Sequence, residues 1–166
     1  LKRMPEISID LPRSKSGYSV KAEDTFWIKQ GILRASDLRD SFDEQCVADI
    51  VATIVDDYKP IDRDKDVLDS LYQPGSPESE KINKIIAIYG PEKIEQEFIF
   101  CINILNELCK KEKLRNMIYG GKSSSNPIPS IFSQIFIAIH EIVFKEGKAI
   151  SDYALLQTKL ESLKDK

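Results

Sequence analysis

The chain contains little of what reactive or cross-linked sites are usually built from: three cysteines, one histidine and one tryptophan among 166 residues. Cys46, Cys101 and Cys109 are odd in number and none forms a Cys-x-x-Cys pair, so neither a disulfide framework nor a cysteine zinc site is expected. No stretch approaches the roughly 18 consecutive apolar residues that span a bilayer. We therefore expect a cytoplasmic domain that binds no membrane, no metal and no cofactor.

The overall composition is typical of a globular domain, with 42% hydrophobic and 31% charged residues. The net charge of −3 is unevenly distributed: residues 1–21 carry +3, residues 22–100 carry −9 and residues 101–166 carry +3. An acidic middle argues against a protein that coats duplex nucleic acid with its whole surface. A local anion site at either basic end remains compatible with this distribution.

The hydrophobic pattern divides the chain into an arm and a helical domain. Residues 1–21 alternate in part, with Ile7, Ile9 and Leu11 on one side, which predicts a short extended arm or hairpin. Because the chain begins with Leu1 and the apolar pattern reaches nearly to both ends, we expect it to be part of a longer protein. Residues 22–166 follow the helical period of 3.6 and predict an all-α bundle of six or seven helices.

Local signals predict where the helices begin and end. Ser41 followed by Glu44 fits a capping box, Ser76 followed by Pro77 predicts a second start, and Gly90-Pro91 is expected to separate two helices. A third start is predicted at Ser151. The remaining expectations are a short helix closed by Gly31, a helix from Phe42 to Tyr58 ended by Pro60, a short helix around Leu68, a long helix from Ile94 to about Met117, and a mostly apolar central helix from Ile131 to Phe144.

Three motifs invite a catalytic interpretation, and each is incomplete. Gly120-Gly121-Lys122-Ser123 resembles the end of a phosphate-binding P-loop, but Asn116 occupies the position of the first glycine and a helix is expected before it. His140-Glu141 would begin a zinc-protease motif whose last histidine is replaced by Phe144. Asp62, Asp64 and Asp66 lack the glycine and glutamate of a calcium loop, so a hydrolase with a carboxylate-bound metal is the least favoured hypothesis.

Single reactive residues are predicted to be structural. The three cysteines lie on apolar helix faces and are expected to be buried as small hydrophobic side chains. His140 lies in a strongly apolar segment, which favours a histidine in the core or at its rim, hydrogen-bonded to the backbone, over a catalytic base. From both predictions we expect this stretch of chain to have no enzymatic activity.

The strongest candidate binding site is a basic segment within residues 110–126. Lysines, hydroxyls and backbone amides converge there, as they do in phosphate and nucleic-acid contacts. The alternative is a helix end whose lysines complement the helix dipole beside a solvated loop. The candidate residues are Lys110, Lys111, Lys113, Arg115, Lys122 and Ser123.

Several short runs occur in a particular order along residues 25–160: Trp27-Ile28-Lys29, Gly31-Ile32-Leu33-Arg34, Ser36-Asp37-Leu38-Arg39, Glu44–Ile50, Tyr119-Gly120-Gly121, Asn126–Phe132 and Ile150–Tyr153. This order resembles the helical region of the GmrSD-type restriction and phage-defence family. Its members join a ParB/sulfiredoxin-like nucleotide-hydrolysing domain to helices and often to an HNH nuclease. The chain has neither the family's DGQQR-type motif nor the histidines of an HNH site. The resemblance therefore implies a helical region beside the active modules and carries over no catalytic residue.

Two hypotheses about function follow. The first is a non-catalytic helical domain, a fragment of a restriction or defence-type protein, that serves packing, association or nucleic-acid positioning. The second is a nucleic-acid or phosphate-binding module that uses the basic segment. The expected partners are a neighbouring domain of the parent chain, nucleic acid, or a second copy of the chain.

Overall fold

The computed structural model describes residues 24–59, 65–119 and 126–162, with side chains for all of these except 65–68. This part of the chain is all-α, as predicted, and holds no strand. The arm predicted for residues 1–21 lies outside the described residues. The helices are α1 Phe26–Lys29, α2 Ala35–Arg39, α3 Phe42–Val55, α4 Lys65–Tyr72, α5 Pro77–Tyr89, α6 Pro91–Leu108, α7 Leu114–Tyr119, α8 Pro129–His140 with a π-helical turn Glu141–Lys145, and α9 Tyr153–Glu161.

Helix α8 lies at the centre of the bundle, in contact with α3 and α6. Its Phe132 and Phe136 side chains are fully buried. The ring of Trp27 meets Phe132 edge-on at 5.2 Å between centroids, and Phe98 from α6 lies 4.4 Å from Phe136. The prediction of a central apolar helix is therefore confirmed for α8 itself. Its π-helical continuation differs, because Phe144 remains 36% exposed there.

Two predicted boundaries are confirmed in their local geometry. The Ser76 hydroxyl accepts a hydrogen bond of 3.1 Å from the Ser79 backbone N–H, and Pro77 is the first residue of α5. This is a side-chain N-cap, which satisfies one of the free N–H groups at a helix start. Gly90 ends α5 with φ of 97°, and Pro91 begins α6 immediately after it.

Two other predicted caps are wrong. Ser41 does precede α3, but its backbone is left-handed with φ of 62° and its side chain makes no capping bond. An N-cap residue that bonds the first N–H groups normally has an extended backbone, so the capping box is not formed. The last helix is capped by Asp152, one residue after Ser151, through a bond of 2.8 Å to the Leu155 backbone N–H.

The predicted long helix from Ile94 to Met117 is divided into α6 and α7. Gln30, which follows α1, accepts hydrogen bonds at the start of α7, through its side chain from the Leu114 N–H at 3.1 Å and through its backbone carbonyl from the Arg115 N–H at 3.2 Å. These bonds satisfy N–H groups that a new helix leaves unpaired. With the unpredicted α2, this break gives nine helices in the described part instead of six or seven.

Helix α3 ends at Val55, earlier than the predicted stop at Pro60. Asp57 and Tyr58 both adopt left-handed backbone conformations, with φ of 57° and 61°. Such conformations are unfavourable for residues with a side chain and persist only when surrounding contacts hold them. Tyr58 is held by a hydrogen bond to His140, a residue in the interior of the bundle.

Candidate functional site

Four polar side chains form a hydrogen-bonded chain inside the bundle. His140 at the end of α8 is 2% exposed and Glu97 of α6 is 7% exposed. The Tyr58 hydroxyl lies 2.7 Å from His140 Nδ1, His140 Nε2 lies 3.0 Å from Glu97 Oε2, and the Tyr89 hydroxyl donates to the same oxygen at 2.7 Å. We call these four residues the polar relay. It ties the segment after α3 to α5, α6 and α8.

The hydrogen-bond directions in the polar relay follow from what each group can donate. The Glu97 carboxylate accepts from His140 Nε2–H, which leaves Nδ1 of a neutral imidazole to accept from the Tyr58 hydroxyl. Burial lowers the pKa of His140 below its ordinary value and outweighs the opposing effect of Glu97. In this tautomer both ring nitrogens of neutral His140 have a hydrogen-bond partner, Tyr58 at Nδ1 and Glu97 at Nε2.

The polar relay resembles a catalytic triad in its connectivity, with a hydroxyl, an imidazole and a carboxylate in series. Its terminal hydroxyl is poorly suited to nucleophilic attack, because burial raises the pKa of Tyr58 to about 12. Burial likewise raises the pKa of Tyr89. The phenols therefore keep their protons near neutral pH, and the arrangement holds helices together.

The single histidine and the three cysteines all lie in the interior of the bundle. His140 was predicted to lie in the core or at its rim; it lies in the core, and its partners are side chains and not the backbone. All three cysteines are buried and unpaired with one another, as predicted. Burial raises the pKa of the Cys101 thiol to about 12 and that of Cys109 to about 11, so both remain unreactive thiols near neutral pH.

Stability should depend on pH through His140. Its pKa is lowered in the folded state relative to its ordinary value of 6.5, so the unfolded chain takes up the proton first as the pH falls. The free energy of unfolding should therefore decrease as the pH falls below about 6.5 and level off below the folded pKa. The slope contributed by one proton is at most about 1.4 kcal/mol per pH unit. Urea denaturation at several pH values between 5 and 7.5 measures it.

The matched variant for this prediction is His140→Gln, which keeps a donor for Glu97 and removes the titrating group. The decrease in stability between pH 6.5 and pH 5 should be smaller in the variant by the contribution of His140. Equal slopes in the two proteins would show that His140 does not titrate differently on folding.

The predicted basic site is only partly assembled in the described residues. Lys110, Lys111 and Lys113 lie exposed on the turn between α6 and α7, and Lys110 forms an ion pair of 2.6 Å with Glu107. Arg115 on α7 is half-buried. Lys122 and Ser123 lie outside the described residues, as do Gly120 and Gly121, but the element before them is helix α7, as predicted, and not the strand of a P-loop.

Arg115 is held by its surroundings more tightly than a surface arginine. Its Nε donates to the Asn126 carbonyl at 3.2 Å, and its side chain fills the space beside Gly31, where a Cβ atom would approach Arg115 Cδ to 2.9 Å. Arg34 Nη2 also donates to Asn126, at the side-chain oxygen, at 3.4 Å. Two guanidinium groups thus meet at one asparagine beside the predicted basic segment. The sequence analysis missed Arg34, because 92 residues separate it from Asn126.

An open groove of about 520 Å³ lies between α3 and α8 and was not predicted from the sequence. Its floor is apolar and its walls carry hydroxyls, an amide and carboxylates. The periodicity of the helices placed Ile50, Ile137 and Ala138 on apolar faces, and only the packing of α3 against α8 shows that residues of the two helices form one concavity. The lining residues are Asp49, Ile50, Thr53, Tyr58, Ser130, Ser133, Gln134, Ile137, Ala138 and Glu141.

No group of histidine, cysteine or acidic residues in the described part of the chain has the geometry to hold a metal ion. Of the carboxylates considered for a metal, Asp62 and Asp64 lie outside the described residues, and only the backbone of Asp66 is described, in α4. Among the helices that the structure describes, none is both long and apolar enough to cross a membrane.

Comparisons with protein-family models, with curated proteins and with solved structures gave no significant match.

Proposed function

We propose that the chain is a non-catalytic helical domain of a restriction or defence-type protein, which serves packing, association or the positioning of nucleic acid for a neighbouring module. The observation that carries this proposal is the polar relay. The single histidine and its carboxylate partner are both buried, and the phenols that extend the pair are protonated at neutral pH. The groups best suited to acid–base chemistry are thus engaged in joining helices. The order of short sequence runs described above supports the restriction or defence assignment.

This proposal is tested by comparing the wild-type chain with His140→Gln on DNA, RNA, nucleoside triphosphates and a chromogenic ester. We expect the two proteins to give the same turnover as a buffer blank. Turnover by the wild type that the folded His140→Gln variant loses would contradict a purely structural polar relay. Circular dichroism establishes that the variant is folded before the comparison is made.

The second candidate function is nucleic-acid or phosphate binding by the basic segment. The observation that favours it is the meeting of Arg34 and Arg115 at Asn126, close to the turn that carries Lys111 and Lys113. Clustered cations bind phosphates with an affinity that falls steeply with salt, because binding releases counterions. We therefore include Arg34 among the candidate binding residues.

Fluorescence anisotropy with labelled single- and double-stranded DNA and RNA distinguishes the two candidates. If the basic segment binds nucleic acid, the double variant Lys111→Glu/Lys113→Glu should weaken binding about tenfold or more at low salt and flatten the salt dependence. The matched control is Lys84→Glu/Lys159→Glu, which makes the same charge change at exposed lysines on α5 and α9. Equal losses in both variants would indicate a nonspecific charge effect, and no binding at about 50 mM salt would favour the first candidate.

A further inference from the structure

We propose that the groove between α3 and α8 binds a linear aliphatic diamine, with a positively charged amino group at each end. Its volume of about 520 Å³ is within the range of small-molecule sites. The inference is independent of the basic segment, whose charge has the opposite sign.

The spacing of two carboxylates along the groove favours a ligand with two charged ends. Helices α3 and α8 run in the same direction here, since Cys46 contacts Ser133 at 3.3 Å, and Tyr58, in the turn after α3, contacts His140 at the end of α8. If Cys46 and Ser133 are taken as level, the helical rise of 1.5 Å per residue places the backbone positions of Asp49 and Glu141 roughly 8 Å apart along this direction. An extended five-carbon diamine has a comparable length.

The charge around the groove is negative. Asp49 and Glu141 line it, and Asp57 lies beside Tyr58 at the same end as Glu141. Lys145 is shared between Asp57 at 3.0 Å and Glu141 at 3.5 Å, so one ammonium group faces two carboxylates at this end of the groove, and Asp49 has no lysine partner among the described residues. The Tyr72 hydroxyl donates to Asp49, which leaves the charge of that carboxylate in place. A concave surface with excess negative charge attracts cations.

The neutral polar groups of the groove present acceptors. The Thr53 hydroxyl donates to the Asp49 carbonyl at 2.8 Å, and the Ser133 hydroxyl donates to the Pro129 carbonyl at 3.0 Å. Because each hydroxyl hydrogen is used by its own helix, the Thr53 oxygen can act toward a ligand only as an acceptor, whereas the Ser133 oxygen already accepts from the Cys46 thiol at 3.3 Å; ammonium groups are pure donors.

The floor between the two acidic ends is apolar. It is formed by Ile50 of α3 with Ile137 and Ala138 of α8. Ile50 is itself fully buried, so a methylene chain in the groove would cover the accessible surface of Ile137 and Ala138, and removing that apolar surface from water favours binding. Acidic ends joined by an apolar floor match the chemistry of a diamine better than that of a metal ion or a sugar.

The experiment is a titration of the full chain with cadaverine, followed by NMR shifts and by calorimetry. Pentylamine, which has one charge, and pentanediol, which has none, are the matched ligands. We expect cadaverine to shift resonances of the groove residues and to bind at least about fivefold more tightly than pentylamine, because the second ion pair is lost in the monoamine. Equal affinities for the two amines would overturn the proposal.

Variants of the chain separate specific binding from general attraction of cations. Asp49→Asn and Glu141→Gln should each weaken cadaverine binding about fivefold, whereas Glu95→Gln, at an exposed position on α6, should leave it unchanged. Ala138→Leu fills the groove without removing a charge and should abolish binding, which tests the site even if a charge variant folds poorly. Equal weakening by Glu95→Gln, or binding that survives Ala138→Leu, would overturn the proposal, as would no binding at millimolar cadaverine.

Discussion

Replacing Glu97 by alanine should lower the free energy of unfolding by about 3 kcal/mol. Glu97 Oε2 accepts hydrogen bonds from His140 Nε2 and from the Tyr89 hydroxyl; Glu97 and His140 are buried and Tyr89 is half-buried. The variant leaves two donors without an acceptor, and an unsatisfied buried donor costs about 1–3 kcal/mol. Chemical denaturation followed by circular dichroism at pH 7.5 measures the change.

The matched control for this prediction is Glu95→Ala, two residues earlier on the same helix. Glu95 is exposed, so its removal should change the free energy of unfolding by no more than about 0.5 kcal/mol. If the two variants were equally stable, the polar relay would not be holding the bundle together. The double variant Glu97→Ala/His140→Ala should cost less than the sum of the single changes, because the two residues share one hydrogen bond.

Replacing Phe132 by alanine should have a still larger effect, about 3–5 kcal/mol. The ring is fully buried and contacts Phe26, Trp27 and Phe136 with centroid distances of 6.1, 5.2 and 5.9 Å. Truncation removes apolar burial and leaves a cavity between α1 and α8. Because Trp27 is the single tryptophan of the chain, its fluorescence reports this site, and the emission should shift to longer wavelength as water gains access.

Phe42→Ala is the matched control for Phe132→Ala, since it removes the same ring from a position that is 49% exposed. We expect a loss of about 1 kcal/mol or less and no shift in Trp27 emission, because less apolar surface returns to water. A similar loss of stability in both variants would contradict the placement of Phe132 at the centre of the core.

Helix boundaries that depend on neighbouring residues were predicted from the sequence, whereas those that depend on distant residues were not. Ser76-Pro77 and Gly90-Pro91 were predicted correctly because a cap or a proline acts on backbone groups within a few residues. Ser41 fits the same kind of local pattern, but it adopts a left-handed backbone that its sequence does not signal. The break after Leu108 was missed because the acceptor that begins α7 is Gln30, 84 residues away.

In the candidate sites, too, single residues were predicted from the sequence but their distant partners were not. The exposed lysines of the basic segment were identified from composition, but Arg34 joins them only through Asn126. The apolar pattern around His140 predicted a histidine in the core or at its rim, and the structure buries it. Its partners Tyr58 and Glu97 lie 82 and 43 residues away, and no spacing rule connects them.

The sequence by itself determined the all-α class, most helix positions, the central place of α8 and the burial of the cysteines, because hydrophobic periodicity and turn residues act over short distances. The tertiary structure alone decided the polar relay, the meeting of Arg34 with Arg115, and the groove between α3 and α8. Each of these depends on which faces of distant helices pack together. That choice is made by side-chain shape and by the satisfaction of buried polar groups.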